Sequence, residues 1–382
     1  MARFPDVSAA GAAVPASIFA RLREHLARFP GDVIPLQIGD TYLAPPARLA
    51  DAIFDAPDGE LYTYGSPHGY QPLLDALAAR HGVTVDNVQI AIGTTQALTA
   101  TVGALCDPGD EMIMLTPHWP LIRGIAIAAH VVPVEVLAHG SLPADELAAR
   151  VAGSITPRTT AIYFATPNNP DGEMLSSDHL AALALLAERR GLWLIADEVY
   201  EHYTYDAAHV SIAALAPSRT VSTYSFAKSY AQAGLRVGYA VGPAAVITTM
   251  RKLINHGVYN VPVAAQRAAL SALRAGDGFL VDARALYRVA RDRARTRLNA
   301  TAATPPGGAY LWVDFGAWSG DDCMQVLEKC AAAGVLLAPG TAFGAMCGRY
   351  ARLCFTGVSP ARLDEGIDRI NAVLDAMPRR EA

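Results

Sequence analysis

Through the middle of this chain, short apolar runs with strand character alternate with stretches of helical spacing. That alternation constrains the fold more than any other feature. Strands separated by helix-length segments form crossover units, which assemble into a mostly parallel sheet covered by helices. The predicted strands are Glu111–Leu115, Val131–Val136, Thr160–Ala165, Leu192–Ala196, Val221–Ser225 and Val237–Val241. The predicted helices are Tyr70–Arg80, Thr95–Leu105, Asp178–Arg190 and Ala264–Leu273. The fold class is therefore α/β, a three-layer large domain around a mostly parallel sheet.

The pattern changes after Gly278, where a long Arg-rich helical stretch, Phe279–Leu298, leads to Pro305-Pro306-Gly307-Gly308. A predicted strand Tyr310–Phe315, a helix and a predicted strand Arg352–Thr356 follow, which reads as a smaller α+β domain. The expected division is a large domain at 41–285 and a small domain of 1–40 plus 286–382, with a ligand cleft between them.

Composition excludes several classes of protein. With 52% hydrophobic and 18% charged residues over 382 positions, the chain can bury extensive cores and lacks the polarity of a disordered protein. A net charge of −5, with no basic stretch interleaved with aromatics, offers no footprint for nucleic acid or an anionic membrane surface. The five cysteines are odd in number and form no C-x-x-C pair, which argues against a disulfide framework and a thiolate metal cage. They read as small buried hydrophobes in a reducing compartment. Charged residues at Arg3, Asp6, Arg21, Arg23, Glu24 and Arg28 interrupt Met1–Pro30, so no signal-peptide core is present. No apolar run approaches the ~18 residues of a membrane span, and the expected location is the cytoplasm.

Polar residues interrupt the strands at telling places. The run ending at Ala165 enters Thr166-Pro167-Asn168-Asn169-Pro170-Asp171-Gly172, where two prolines stiffen a turn able to hold an asparagine amide. The next strand ends in Asp197-Glu198-Val199-Tyr200, and the one after it runs from Ser225 into Phe226-Ala227-Lys228, with Arg236 eight residues further on. Ligands of doubly wound sheets sit just outside the carboxyl ends of the strands. Asn169, Asp197, Tyr200, Ser225 and Lys228 should therefore converge on one crevice. Singly, each has an ordinary explanation as a turn residue, a helix cap, an amphipathic edge or a solvated charge. Their joint appearance does not. Of 31 basic residues only Lys228, Lys252 and Lys329 are lysines, and Lys228 alone follows a strand.

These segments, together with Ser225-Phe-Ala-Lys-Ser-Tyr-Ala-Gln-Ala-Gly-Leu-Arg-Val-Gly-Tyr239, resemble those of the class I/II aminotransferases, pyridoxal-phosphate enzymes of fold type I. Gly39, Tyr64, Gly93-Thr94-Thr95, Trp119 and Arg352 fall at matching places in order, so the resemblance spans essentially the whole chain. It implies that Lys228 is the Schiff-base lysine and proton shuttle, and that Asp197 faces the pyridine nitrogen of pyridoxal 5'-phosphate. Asn169 and Tyr200 would hydrogen-bond the ring oxygen, and Trp119 would stack on the ring. Gly93, Thr94 and Thr95 at a helix start, with Ser225 and Arg236, would hold the phosphate. Tyr64 would reach the phosphate of a neighbouring subunit, which implies a homodimer with shared active sites. Arg352 and the Gly39 backbone would receive the substrate carboxylate, with Asn169 beside them.

The implied reaction is ping-pong transfer of an amino group between an L-α-amino acid and a 2-oxo acid. A β-eliminating C–S lyase of the same fold shares the cofactor contacts and is the alternative. A DNA-binding regulator built on this fold would need a basic helix-turn-helix segment, which the sequence does not show. The sequence departs from the family pattern at Asp171, at Gly39-Asp40-Thr41-Tyr42 and at His118, which precedes the stacking tryptophan. His256 and Tyr259, ahead of Asn260-Val261-Pro262, are candidates for substrate selectivity at an intersubunit turn.

Overall fold

The computed structural model describes residues 7–16, 22, 29–54, 56–138 and 142–380. Arg3, Asp6, Arg21, Arg23, Glu24 and Arg28 lie outside the described residues. In chain order the strands are β1 Ile34–Pro35, β2 Val88–Ile92, β3 Glu111–Thr116, β4 Val132–Leu137, β5 Thr159–Ala165, β6 Trp193–Asp197, β7 Thr220–Ser225 and β8 Val237–Val241. They continue with β9 Thr301–Ala302, β10 Tyr310–Asp314, β11 Val335–Leu336, β12 Ala338–Pro339 and β13 Tyr350–Cys354.

Seven strands form the central sheet in the order β2-β8-β7-β6-β5-β3-β4. The β7/β6/β5/β3/β4 pairings are parallel, while β8 runs antiparallel to both β7 and β2. Helices cover both faces, which is why β3 and β7 are buried at every residue and lack the alternation of a half-solvated strand. The sequence reading overlooked β2. Its five residues pass directly into the helix Gly93–Leu105 with no intervening loop, so nothing punctuates the strand.

A four-stranded antiparallel sheet, β12-β13-β10-β9, and the parallel pair β1-β11 make up a second layered unit. Its buried cluster gathers Ile34, Leu36, Leu311, Leu353 and Ile367, with Tyr200, Tyr203 and Tyr205 entering from the central-sheet side. The strand expected at Arg352–Thr356 is instead Tyr350–Cys354. This places Arg352 in mid-strand, opposite Trp312 on one side and Ala338 on the other.

The two helical stretches read around Gly278 are one continuous helix, Val263–Arg297, which passes through the expected boundary at residue 285. Glycine here does not break the helix. A Cβ at Gly276 would collide with the Tyr230 ring, so the glycine permits close packing in a helix that other residues sustain. No helix among the described residues is long and apolar enough to cross a membrane.

Candidate active site

The carboxyl ends of β5, β6 and β7 open onto a cleft of about 580 Å³ lined by Thr94, Thr95, Trp119, Asn169, Asp197, Ser225, Lys228 and Arg236, with Leu98, Val199, Ala227 and Ala233. Eight of the residues singled out from the sequence thus meet in one place, because parallel strands deliver their C-terminal residues to a single sheet edge.

Asp197 ends β6 in register with Ala165 and Thr223 of its neighbours. Its carboxylate accepts from the Tyr163 hydroxyl at 3.2 Å and from the Val199 N–H at 3.4 Å. Burial pushes its carboxyl up to about 7. A carboxylate removed from water without a close cation is costly to ionise, so this position favours a ligand atom bearing a proton or positive charge. Tyr163 was not found from the sequence. Its only signal there is its place in β5, two residues before the strand end.

Lys228 sits in the short helix Phe226–Ser229, which Ser225 caps by accepting the Ala227 N–H at 3.1 Å. The Lys228 Nζ donates to the Gly39 carbonyl. Burial pulls its ammonium below the ordinary lysine value, and Arg352 and Arg236 act in the same direction, while Asp40 opposes them. The same lysine lines a second cavity, of about 250 Å³, with Gly39, Asp40, Tyr200 and Tyr287. Lys252 and Lys329 are exposed.

At the other end of the cleft the helix Gly93–Leu105 begins without a capping side chain, so its first N–H groups are free to meet an anion. Gly93 holds a positive φ of 69°, and a Cβ there would overlap the Arg236 guanidinium. Arg236 itself has φ 55° and donates to the Ala233 carbonyl at 3.1 Å. Thr94 donates its hydroxyl to the Tyr224 carbonyl at 2.7 Å, leaving Thr95 less encumbered at the helix start. Helix end, hydroxyls and guanidinium together could hold a phosphate.

Arg352 of β13 stands against the cleft lining at Asn169. Its Nη1 donates to Asn169 Oδ1 at 2.7 Å and its Nη2 to the Gln37 carbonyl at 2.6 Å, while its buried Nε has no partner. Tyr310 and Phe343 flank the guanidinium plane, with ring centroids 4.3 and 5.0 Å from Cζ. No carboxylate of the described residues pairs with it. A planar cation packed against two rings, opposite only neutral acceptors, is suited to a ligand carboxylate. Tyr310, Phe343 and Gln37 were also missed: Tyr310 and Gln37 lie far in sequence from Arg352, and Phe343, nine residues before it, carries no motif of its own.

Tyr200 is absent from the lining of the first cavity. Its hydroxyl shares a hydrogen bond with the Tyr310 hydroxyl, and it lines the second cavity beside Lys228. Burial raises its phenol well above the ordinary value, which keeps it a hydrogen-bond donor. Gly39 packs so tightly on Tyr310 that a Cβ would collide with the phenol. Tyr64 lies outside both cavities, 84% exposed, with its ring 4.8 Å from that of Tyr259.

The chain is similar to known aminotransferases along most of its length. Residues 31–370 match the family model described as aminotransferase class I and II. The aspartate/prephenate aminotransferase of Thermus thermophilus is 33% identical over 362 residues, 90% of this chain and 91% of that protein. The arginine–pyruvate transaminase of Pseudomonas aeruginosa is 33% identical over 349 residues, covering 87% and 88%. Among solved structures, a mutant Thermus thermophilus aspartate aminotransferase superposes with a TM-score of 0.89 at 32% identity, covering 97% of this chain and all of that one. The N-succinyldiaminopimelate aminotransferase of Mycobacterium tuberculosis gives 0.86 at 28% identity, covering 96% and 100%.

Proposed function

Since the chain belongs to the class I and II aminotransferase family and is an amino-group transferase, we propose that its cleft binds pyridoxal 5'-phosphate and that Lys228 is the catalytic amine for transfer between an L-α-amino acid and a 2-oxo acid. One observation carries this reading. A lysine whose ammonium is disfavoured by burial, a buried carboxylate and an uncapped helix start beside Arg236 meet in one cleft, and Arg352, which no carboxylate of the described residues opposes, bonds Asn169 of its lining.

The donor set fits the cofactor. Asp197 suits a protonated pyridine nitrogen, and Gly93, Thr94, Thr95, Ser225 and Arg236 suit a phosphate. Trp119 offers an aromatic face, and Asn169 and Tyr200 offer polar groups near the ring oxygen. When bound, pyridoxal phosphate supplies the electron sink that makes an amino acid's Cα proton removable, and it carries the amino group between donor and acceptor.

The protein's own residues do the rest. Arg352 binds and orients the substrate carboxylate, and each charge-assisted bond is worth about 1.5–3 kcal/mol. The Gly39 carbonyl accepts from the amine of Lys228, which lines both cavities. Lys228 moves the proton at the substrate Cα, and burial favours the unprotonated amine that this task requires. Tyr200, kept protonated by burial, shares its hydrogen bond with the Tyr310 hydroxyl in the cavity beside it.

We also infer a homodimer whose sites are shared. The exposed Tyr64 and Tyr259, out of reach of their own cleft, support it. Five free cysteines support a reducing cytoplasmic setting. The reading places the cleft between the units 41–285 and 1–40 plus 286–382.

The test is the absorbance of bound pyridoxal phosphate together with turnover in a screen of acidic, aromatic, basic and small aliphatic amino donors against 2-oxoglutarate and pyruvate. Lys228→Ala should lose the wild-type cofactor absorbance and more than about a thousandfold in rate. Lys252→Ala and Lys329→Ala should match the parent. A Lys228→Ala protein with the parent's spectrum would sink the assignment.

A further inference from the structure

His118, where the family pattern often has an aromatic residue, is not part of the cleft lining, yet it is buried next to Trp119. Its backbone N–H donates to the Phe343 carbonyl at 2.9 Å, and its Nδ1 lies 3.0 Å from the Trp119 carbonyl. Its Nε2 lies 3.6 Å from Glu135 Oε1. Glu135 stands on β4, the edge strand of the central sheet, and its other oxygen accepts the Ala345 N–H at 3.0 Å. Arg123 Nε approaches the same carboxylate to 3.6 Å. Between these contacts Gly344 packs so closely on Thr116 that a Cβ would collide with its methyl group.

These contacts tie the turn at residues 340–347, which carries Phe343 and belongs to the layer holding β13, onto the edge of the central sheet. Phe343 is fully buried, stacks edge-on against Trp312 at 5.4 Å and covers one face of the Arg352 guanidinium. The Tyr310 ring also lies against this guanidinium, its centroid 4.3 Å from Cζ. An aromatic wall limits how far the fork can rotate only if the wall itself is held. The carboxylate of Glu135 and the backbone of His118 supply that hold from the opposite side of the cleft.

We propose that Glu135 and His118 form a clasp that positions Phe343, and through it Arg352, for the substrate carboxylate. Both are positioning residues. Neither touches the atoms that react, and the proposal rests on the reading of Arg352 as the carboxylate site. The clasp joins the residue that precedes the cofactor-facing Trp119 to the turn that covers Arg352, so it sets the spacing between the two ends of the cleft.

The test compares Glu135→Ala, Glu135→Gln and Arg352→Ala in the full-length holoenzyme, using the best donor from the screen and pyruvate as acceptor. Glu135→Ala should raise KM for both substrates about tenfold, with kcat within about twofold and pyridoxal phosphate affinity unchanged. Glu135→Gln keeps an acceptor for the Ala345 N–H and should restore most of the KM. Adding Glu135→Ala to Arg352→Ala should cost no more than Arg352→Ala alone, because the clasp acts through that arginine. Should Glu135→Ala fail to fold, Ala345→Pro removes the same N–H from the other side of the contact, at the first position of a 3₁₀ turn where proline is tolerated. It should reproduce the KM increase. An unchanged KM in a folded Glu135→Ala or Ala345→Pro protein, with KM raised in Arg352→Ala, overturns the clasp alone. An unchanged KM in Arg352→Ala overturns the carboxylate reading and the clasp's role with it.

Discussion

Asp197 shows how one residue can be costly to the empty protein and useful to the loaded one. Burial raises its carboxyl from 3.8 to about 7, so the folded chain binds this proton more tightly than the unfolded chain does. The contribution to stability is fully present below pH 3.8 and is lost as the pH rises through about 7. The cofactor-free protein should therefore lose stability, relative to an Asp197→Asn variant, between about pH 4 and pH 7, by an amount on the order of 3 kcal/mol. Thermal melts of both proteins without cofactor, taken across that range, check it. Parallel melting curves at every pH would contradict the unpaired-carboxylate argument. The same variant should bind pyridoxal phosphate but turn over poorly, since an amide cannot hold the ring nitrogen protonated.

Among the elements, the helix Gly93–Leu105 links backbone geometry to anion binding. Its first residue needs a positive φ and no side chain, because the Arg236 guanidinium fills the space a Cβ would take. Gly93→Ala should weaken pyridoxal phosphate binding at least about tenfold, read from spectral titration of the cofactor-free protein. Gly82 provides the control. It also has a positive φ, of 64°, but faces open space. Gly82→Ala should cost a comparable strain in stability and leave cofactor affinity intact. Equal losses of affinity in both variants would show that general destabilisation, rather than the cup at Arg236, is responsible.

Across the whole molecule, the proposed dimer would set the exposed Tyr64 and its neighbour Tyr259 against a second copy. A mixture of Lys228→Ala and Tyr64→Ala proteins, each impaired alone, should recover activity on subunit exchange. One site of every mixed dimer would carry both lesions while the other would carry none. Activity no greater than the sum of the separate proteins, after exchange is verified by mass, would rule out shared sites.

Much of this was legible before folding. The crossover pattern specified a mostly parallel sheet, and the strand-end motifs at Asn169, Asp197 and Lys228 specified the edge where chemistry gathers, because strand direction alone sends those residues to one side. Periodicity and turn residues report local conformation, and this part of the site is set locally. What they could not report were contacts made by residues distant in the chain. Tyr163 against Asp197, the Tyr310 wall of Arg352, the Tyr200–Tyr310 hydroxyl pair and the Glu135–Ala345 contact each join segments that only the packed structure brings together. The unbroken helix Val263–Arg297 has the same cause. The pattern was read as changing after Gly278, yet the helix runs on through it, and two residues earlier only the Tyr230 ring lying against Gly276 shows that a missing side chain there makes room for a neighbour. Sequence determined which groups are available and at which sheet edge they arrive, while tertiary packing decided which of them are desolvated, paired or left open to a ligand.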